Sequence, residues 1–210
     1  MEGAGIRWML DLARETGAVL TGSLIVRAGS RVHNRLVWAR PDGTLAHYDK
    51  RHLFRMAGEH ERYAGGSERL IVEVHGWRVC PLVCYDLRFP VYSRNCFDAA
   101  AQRLDYDLLL YVANWPSPRR HAWRTLLRAR AIENLAYCVG VNRVGVDGNQ
   151  LPYAGDSVAL DLLGEAIVEL GSDAGVVTAR LSAERLATHR ERFPAWMDAD
   201  AFALETRTRP

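Results

Sequence analysis

No apolar run in these 210 residues approaches the roughly 18–20 that a membrane-spanning helix needs. No repeat, low-complexity stretch or linker interrupts the chain. Residues 1–5 carry neither the basic start nor the apolar core of a secretory signal, so a cytoplasmic protein with reduced thiols is expected. An excess of one charge is missing as well: 27 Lys and Arg against 25 Asp and Glu leave +2. The arginines are scattered among carboxylates and form no stripe, which argues against nucleic acid and membrane partners and leaves a small molecule. Cysteine is scarce, with four in all. Cys80 and Cys84 are separated by three residues, the spacing of neither paired zinc ligands nor a thioredoxin-type motif, although a redox pair of these two stays open. Cys96 and Cys138 have no partner pattern and read as small buried hydrophobes.

What is present is an ordinary globular composition, 49% hydrophobic and 25% charged, long enough for one domain spanning 1–210 with a real core. Ile6, Met9, Leu10 and Ala13 repeat at helical spacing, and 18–26 then reads as a buried strand. Residues 34–40 and 44–49 flank Pro41-Asp42-Gly43, a hairpin signal, so Lys50 sits at the exit of a strand. Residues 70–74 and 77–83 flank His75-Gly76 as a second hairpin, with Pro81 arguing against a central position. Residues 91–103 suit a helix, 107–113 a short buried strand, and 121–135 an amphipathic helix with Trp123, Leu127 and Ala131 on one face. Runs at 136–142, 157–162, 165–170 and 175–181 read as strands, and 182–192 as a helix capped by Ser182. Strands alternating with helices give an α/β class.

Two segments carry chemistry. Cys84 ends the apolar run that starts at Trp77 and precedes the polar turn Tyr85-Asp86-Leu87-Arg88, which places a thiol like a nucleophile at a strand end. The backbone N–H of Tyr85 is the nearest donor for a developing oxyanion, and Lys50 is a cation of the right kind to stabilise it. On the residues alone, a buried structural cysteine and a solvated lysine are the commoner fates. His52, His60 and His75 are candidates for a cysteine–histidine pair, and no spacing selects among them.

Six motifs follow in order: Asp49-Lys50-Arg51-His52-Leu53-Phe54 with Glu59, Cys84-Tyr85-Asp86-Leu87-Arg88-Phe89-Pro90, Asn114-Trp115-Pro116, Arg128-Ala129-Arg130-Ala131-Ile132-Glu133-Asn134, Asn142-Arg143-Val144-Gly145 and Gly155-Asp156-Ser157. In these the chain resembles the carbon–nitrogen hydrolase (nitrilase) superfamily, its omega-amidase branch above all. The resemblance implies a four-layer α-β-β-α sandwich, no cofactor, and a homodimer. It implies an amidase that hydrolyses the terminal amide of small dicarboxylic acid monoamides, such as 2-oxo acid amides, through a cysteine thioester. Cys84 would be the nucleophile, Lys50 the stabiliser of the tetrahedral intermediates and Glu59 the residue holding Lys50. Tyr85 and Trp115 would bind substrate. Arg88, Asp86 and Glu133 have the charges to pair beneath the nucleophile, and Gly155-Asp156-Ser157 reads as a turn.

The family's general-base glutamate normally follows an apolar strand upstream of all six motifs. These 210 residues present no counterpart, and Glu2 and Glu15 are in the wrong setting. The expectation is therefore an N-terminally truncated domain lacking a first strand-helix-strand unit of roughly 30 or more residues. A general base is typically worth about 10²–10⁴ in rate, so the alternative is a catalytically impaired or silent relative acting as a binding or scaffold subunit.

Overall fold

Ile6, Met9 and Ala13 lie one turn apart and give the first helix a single apolar stripe, which fixes what it can pack against. In the computed structural model, which describes residues 1–204, α1 (Ala4–Thr16) stops at Gly17, where φ is 65°. A left-handed residue is what ends a helix without strain when it is glycine. β1 (Leu20–Ala28), β2 (Arg31–Ala39) and β3 (Leu45–Asp49) follow as an antiparallel sheet in that order. β2 is buried on both faces, and its alternation assigns them. Val37 and Ala39 pack on Ile6, Met9 and Ala13 of α1, whereas Trp38 packs with Val72 and Val79 of a second sheet.

That second sheet is assembled from the rest of the chain. A 3-10 turn, Arg55–Ala57, and one turn of helix, α2 (Glu59–Arg62), lead to the hairpin of β4 (Val72–Val74) and β5 (Trp77–Val83). A 3-10 turn, Cys84–Arg88, and α3 (Pro90–Ser93) come next, then the short pair β6 (Phe97–Asp98) and β7 (Arg103–Leu104). β8 (Leu108–Ala113) is joined to β9 (Tyr137–Asn142) through the 3-10 turn Ser117–Arg119 and α4 (Arg120–Asn134). β10 (Val144–Val146) and β11 (Pro152–Ala154) form a separate hairpin. β12 (Val158–Leu160) and β13 (Ala166–Glu169) complete a six-stranded sheet of order β13-β12-β9-β8-β5-β4, and α5 (Ala183–Arg192) follows.

β5, β8 and β9 are parallel neighbours, and the outer pairs are antiparallel. Trp123, Leu127 and Ala131 of α4 share a cluster with Leu82, Leu109 and Cys138 of this sheet. Gly140 is where helix and sheet come closest, since a Cβ there would lie 2.5 Å from Leu127. The contacts therefore run from α1 through the three-stranded sheet and the six-stranded sheet to α4, in a mixed α/β fold.

Several sequence expectations are corrected. The run 18–26 predicts a buried strand, but β1 is an edge strand bonded to β2 alone, with Ile25 57% exposed. Residues 91–103 suit a helix by local spacing, yet the helix stops at Ser93. Asn95 pins the chain there: its Nδ2 donates to the carbonyls of Tyr106 and Asn134, and its Oδ1 accepts the Tyr106 N–H. Asp98 then turns the chain by accepting the N–H groups of Ala100 and Ala101. Residues 175–181 belong to no strand. Pro81 is tolerated inside the sheet because the pairing of β4 ends at Val79. Ser182 does cap α5, its hydroxyl accepting the Arg185 N–H at 3.1 Å.

Candidate active site

Cys84 leaves β5 with φ at 48°, a left-handed conformation that costs a non-glycine residue about 1–2 kcal/mol. Something must hold it there, and the holder is Asp86 two residues on. This fully buried carboxylate accepts the Val83 N–H at 3.0 Å, the Tyr48 hydroxyl at 2.8 Å and the His52 N–H at 3.0 Å. His52 Nδ1 lies 2.7 Å from the same group. Tyr48 and His52 flank Lys50, so one carboxylate ties the lysine segment to the cysteine segment. The charges of Arg88, Asp86 and Glu133 suggest mutual pairing, and the structure corrects this. Glu133 pairs with Arg130 at 2.8 Å, and Arg88 lies 5.1 Å over the ring of Trp115.

Lys50 is 2% exposed, and its Nζ is 2.6 Å from Glu59 Oε2. Glu59 also accepts the Phe54 N–H at 2.7 Å, which fixes the carboxylate and through it the ammonium. The lysine backbone is clamped on both sides: its N–H donates to Asn34 and its carbonyl accepts the Gly66 N–H at 3.1 Å. Gly66 permits this contact, because a Cβ at that position would lie 2.1 Å from the Asp49 carbonyl oxygen. Neither Gly66 nor the tying role of Asp86 is visible in the motifs. His52 is stacked on Phe89 with ring centroids 3.8 Å apart, and among the described residues no histidine contacts Cys84.

Lys50, Glu59, Cys84, Tyr85 and Trp115, the five residues singled out from sequence, line one cavity of about 550 Å³. Cys84 Sγ sits 3.8 Å from the Asn114 carbonyl oxygen. Burial pushes its thiol up to about 11, while the Lys50 ammonium pulls the other way. Trp115 is both wall and core: it is 3% exposed, its Nε1 donates to the Arg119 carbonyl at 2.8 Å, and its ring packs on Trp123. Asn142 anchors that wall, accepting the Trp115 N–H at 2.7 Å and donating to the Trp115 and Gly155 carbonyls. Asp156, at φ 55°, pairs with Arg120, which makes Gly155-Asp156-Ser157 a structural turn.

All four cysteines are free, and burial pushes the Cys80 thiol up to about 12. Among the described residues, no group of three His, Cys, Asp or Glu side chains is placed to hold a metal ion. No described helix is long and apolar enough to cross a membrane.

Residues 1–191 match the family profile described as carbon-nitrogen hydrolase. The chain is 53% identical over 201 residues to the omega-amidase YafV of Yersinia enterocolitica, covering 95% of this chain and 75% of that protein. It is 34% identical over 193 residues to a 2-oxoglutaramate amidase of Bacillus subtilis, covering 91% of this chain and 72% of that one. Among solved structures, it superposes with a TM-score of 0.96, at 58% identity, on a CN-hydrolase superfamily protein from Xanthomonas campestris that carries an arsenic adduct in its active site. That match covers 98% of this chain and 78% of the other.

Proposed function

The chain belongs to the carbon–nitrogen hydrolase family, and on that premise we propose that it is a thiol-dependent amidase. Its substrates are the terminal amides of small dicarboxylic acid monoamides, 2-oxo acid amides among them, which it splits into acid and ammonia. The observation that carries this reading is the convergence of Cys84, Lys50 and Glu59 on one cavity, with the lysine bonded to the glutamate at 2.6 Å. Support for the substrate class comes from the relatives, which are named as an omega-amidase and a 2-oxoglutaramate amidase.

Cys84 Sγ attacks the amide carbon, and the carbonyl oxygen takes up negative charge. Lys50 Nζ and the N–H of Tyr85, at the start of the 3-10 turn where N–H groups have no partner inside the turn, receive that charge. The thiol proton ends on the departing nitrogen, ammonia leaves, and a thioester remains. Water then attacks the same carbon and releases the acid and the thiol. Glu59 keeps the lysine in place through both halves. A thiol raised to about 11 is protonated at neutral pH, so its attack needs a proton acceptor. By the resemblance, that acceptor is a glutamate with no counterpart among the described residues.

The test is ammonia release from 2-oxosuccinamate, measured on the 210-residue chain and on a form extended upstream. Release by the extended form, abolished by Cys84→Ala, is the expected result. An inactive extended form, or a rate that Cys84→Ala leaves unchanged, overturns the amidase reading in favour of a binding or scaffold subunit.

A further inference from the structure

The cavity at Cys84 has an unbalanced charge lining. Lys50, Arg88, Arg119 and Arg143 line it, against the single carboxylate of Glu59, and Glu59 is already bonded to Lys50. Elsewhere in the molecule arginines near this region are tied to carboxylates, as Arg35 is to Asp49 and Arg120 to Asp156. Arg88, Arg119 and Arg143 have no such partner among the described residues. Each instead lies over an aromatic ring: Arg88 over Trp115 at 5.1 Å, Arg119 over Phe54 at 5.2 Å and Arg143 over Tyr153 at 4.6 Å. A ring face attracts a guanidinium without neutralising it and leaves its N–H fork free for an anion. Three guanidiniums without an ion-pair partner among the described residues thus line one small cavity, a setting suited to an anion.

Arg143 is the best placed of the three. Its N–H donates to the Ala113 carbonyl, and the next residue, Asn114, supplies the carbonyl that touches Cys84 Sγ. Its platform is also rigid, because the Tyr153 hydroxyl donates to Asp147 at 3.0 Å. Asp147 in turn is occupied by the N–H groups of Asn149 and Leu151, and it is not within ion-pair distance of Arg143. Arg119, by contrast, already contacts the Met56 sulfur.

We propose that Arg143, carried on the ring of Tyr153, binds the free carboxylate of the substrate, with Arg88 and Arg119 making the rest of the rim positive. The site thereby selects amides that carry an acid at the far end over neutral amides of the same length. This specificity assignment rests on the amidase reading of the same cavity.

The experiment separates the two by measuring binding without turnover, in the full chain carrying Cys84→Ala. NMR titration with succinamate is compared with butyramide, which has a methyl group where succinamate has its carboxylate. Adding Arg143→Ala is expected to weaken succinamate binding by about ten- to a hundredfold, the range of a charged hydrogen bond, and to leave butyramide within a factor of about three. Arg143→Lys should restore part of the loss, since it keeps the charge without the fork. Succinamate affinity indifferent to Arg143, an equal loss for both amides, or no succinamate binding by the Cys84→Ala chain would each overturn the assignment. Failure of the amidase reading shows separately, as no ammonia from the upstream-extended form with Cys84 intact.

Discussion

Asp86 joins the two halves of the site, and replacing it by alanine is the sharpest perturbation of how the site is held. The substitution strips the acceptor from three buried donors, the Val83 N–H, the His52 N–H and the Tyr48 hydroxyl. Each buried donor left unmatched costs about 1–3 kcal/mol, and the losses overlap because all three groups face one small space. The expected total is about 4 kcal/mol, a large share of the roughly 5–15 kcal/mol by which a domain is stable. Asp86→Asn keeps one oxygen but turns an amide NH₂ toward the remaining donors, so about 2 kcal/mol is expected. Urea denaturation read from the midpoint and slope measures both variants. The reasoning fails if Asp86→Ala loses less than about 1 kcal/mol, or if Asp86→Asn proves the more damaging of the two.

Three further outcomes follow from the same contacts. With its thiol pushed up to about 11, Cys84 should react with iodoacetamide about tenfold faster per pH unit until that region, and Lys50→Met should slow it further by removing the charge that favours the thiolate. A plateau near pH 8.5 refutes this. Gly66→Ala should cost about 1–3 kcal/mol in urea, because the Asp49 backbone must move away from the new Cβ, whereas Gly148→Ala, with open space around it, should cost nothing measurable. Burial acts to raise the Asp107 carboxyl, but hydrogen bonds from Arg78 and Arg190 outweigh it and leave the group below the usual range. A depressed carboxyl contributes stability above its unfolded value and loses it as pH falls through the folded one. Asp107→Asn should therefore cost about 3 kcal/mol at pH 7 by leaving two arginines unpaired, and the gap from the parent should narrow below about pH 4.

The sequence was most readable where function depends on local pattern. The apolar run from Trp77 and the turn after it place Cys84 at a strand end, and the hairpin around Pro41-Asp42-Gly43 places Lys50 at another. The motifs then bring Glu59, Tyr85 and Trp115 to the same cavity. What stayed hidden depends on partners distant in sequence. Asp86 reaches Tyr48 across 38 positions and His52 across 34, and its motif suggests charged partners, not the hydroxyl and backbone donors it meets. The supposed helix at 91–103 has acceptable local spacing, but Asn95 is bonded to Tyr106 and Asn134, and these tertiary bonds override the propensity. Gly66 resembles any loop glycine until the Asp49 carbonyl is seen against it.

Why the cavity lies where it does follows from the parallel part of the sheet. Cys84 is the first residue beyond β5, Asn114 the first beyond β8, and Asn142 the last of β9. The ladder aligns them, since Val83 pairs with Val112 and Ala113 with Asn142. Three parallel strands thus deliver their carboxyl ends side by side, the place where open α/β sheets leave a crevice. Lys50 arrives from the other sheet by the same logic, one residue past the end of β3. The register that aligns these ends also buries Leu109 and Tyr111 on one face of β8. A slip of β8 by one residue would turn both out of the core while carrying Asn114 away from Cys84. The burial that stabilises the sheet therefore also sets the surroundings of Cys84.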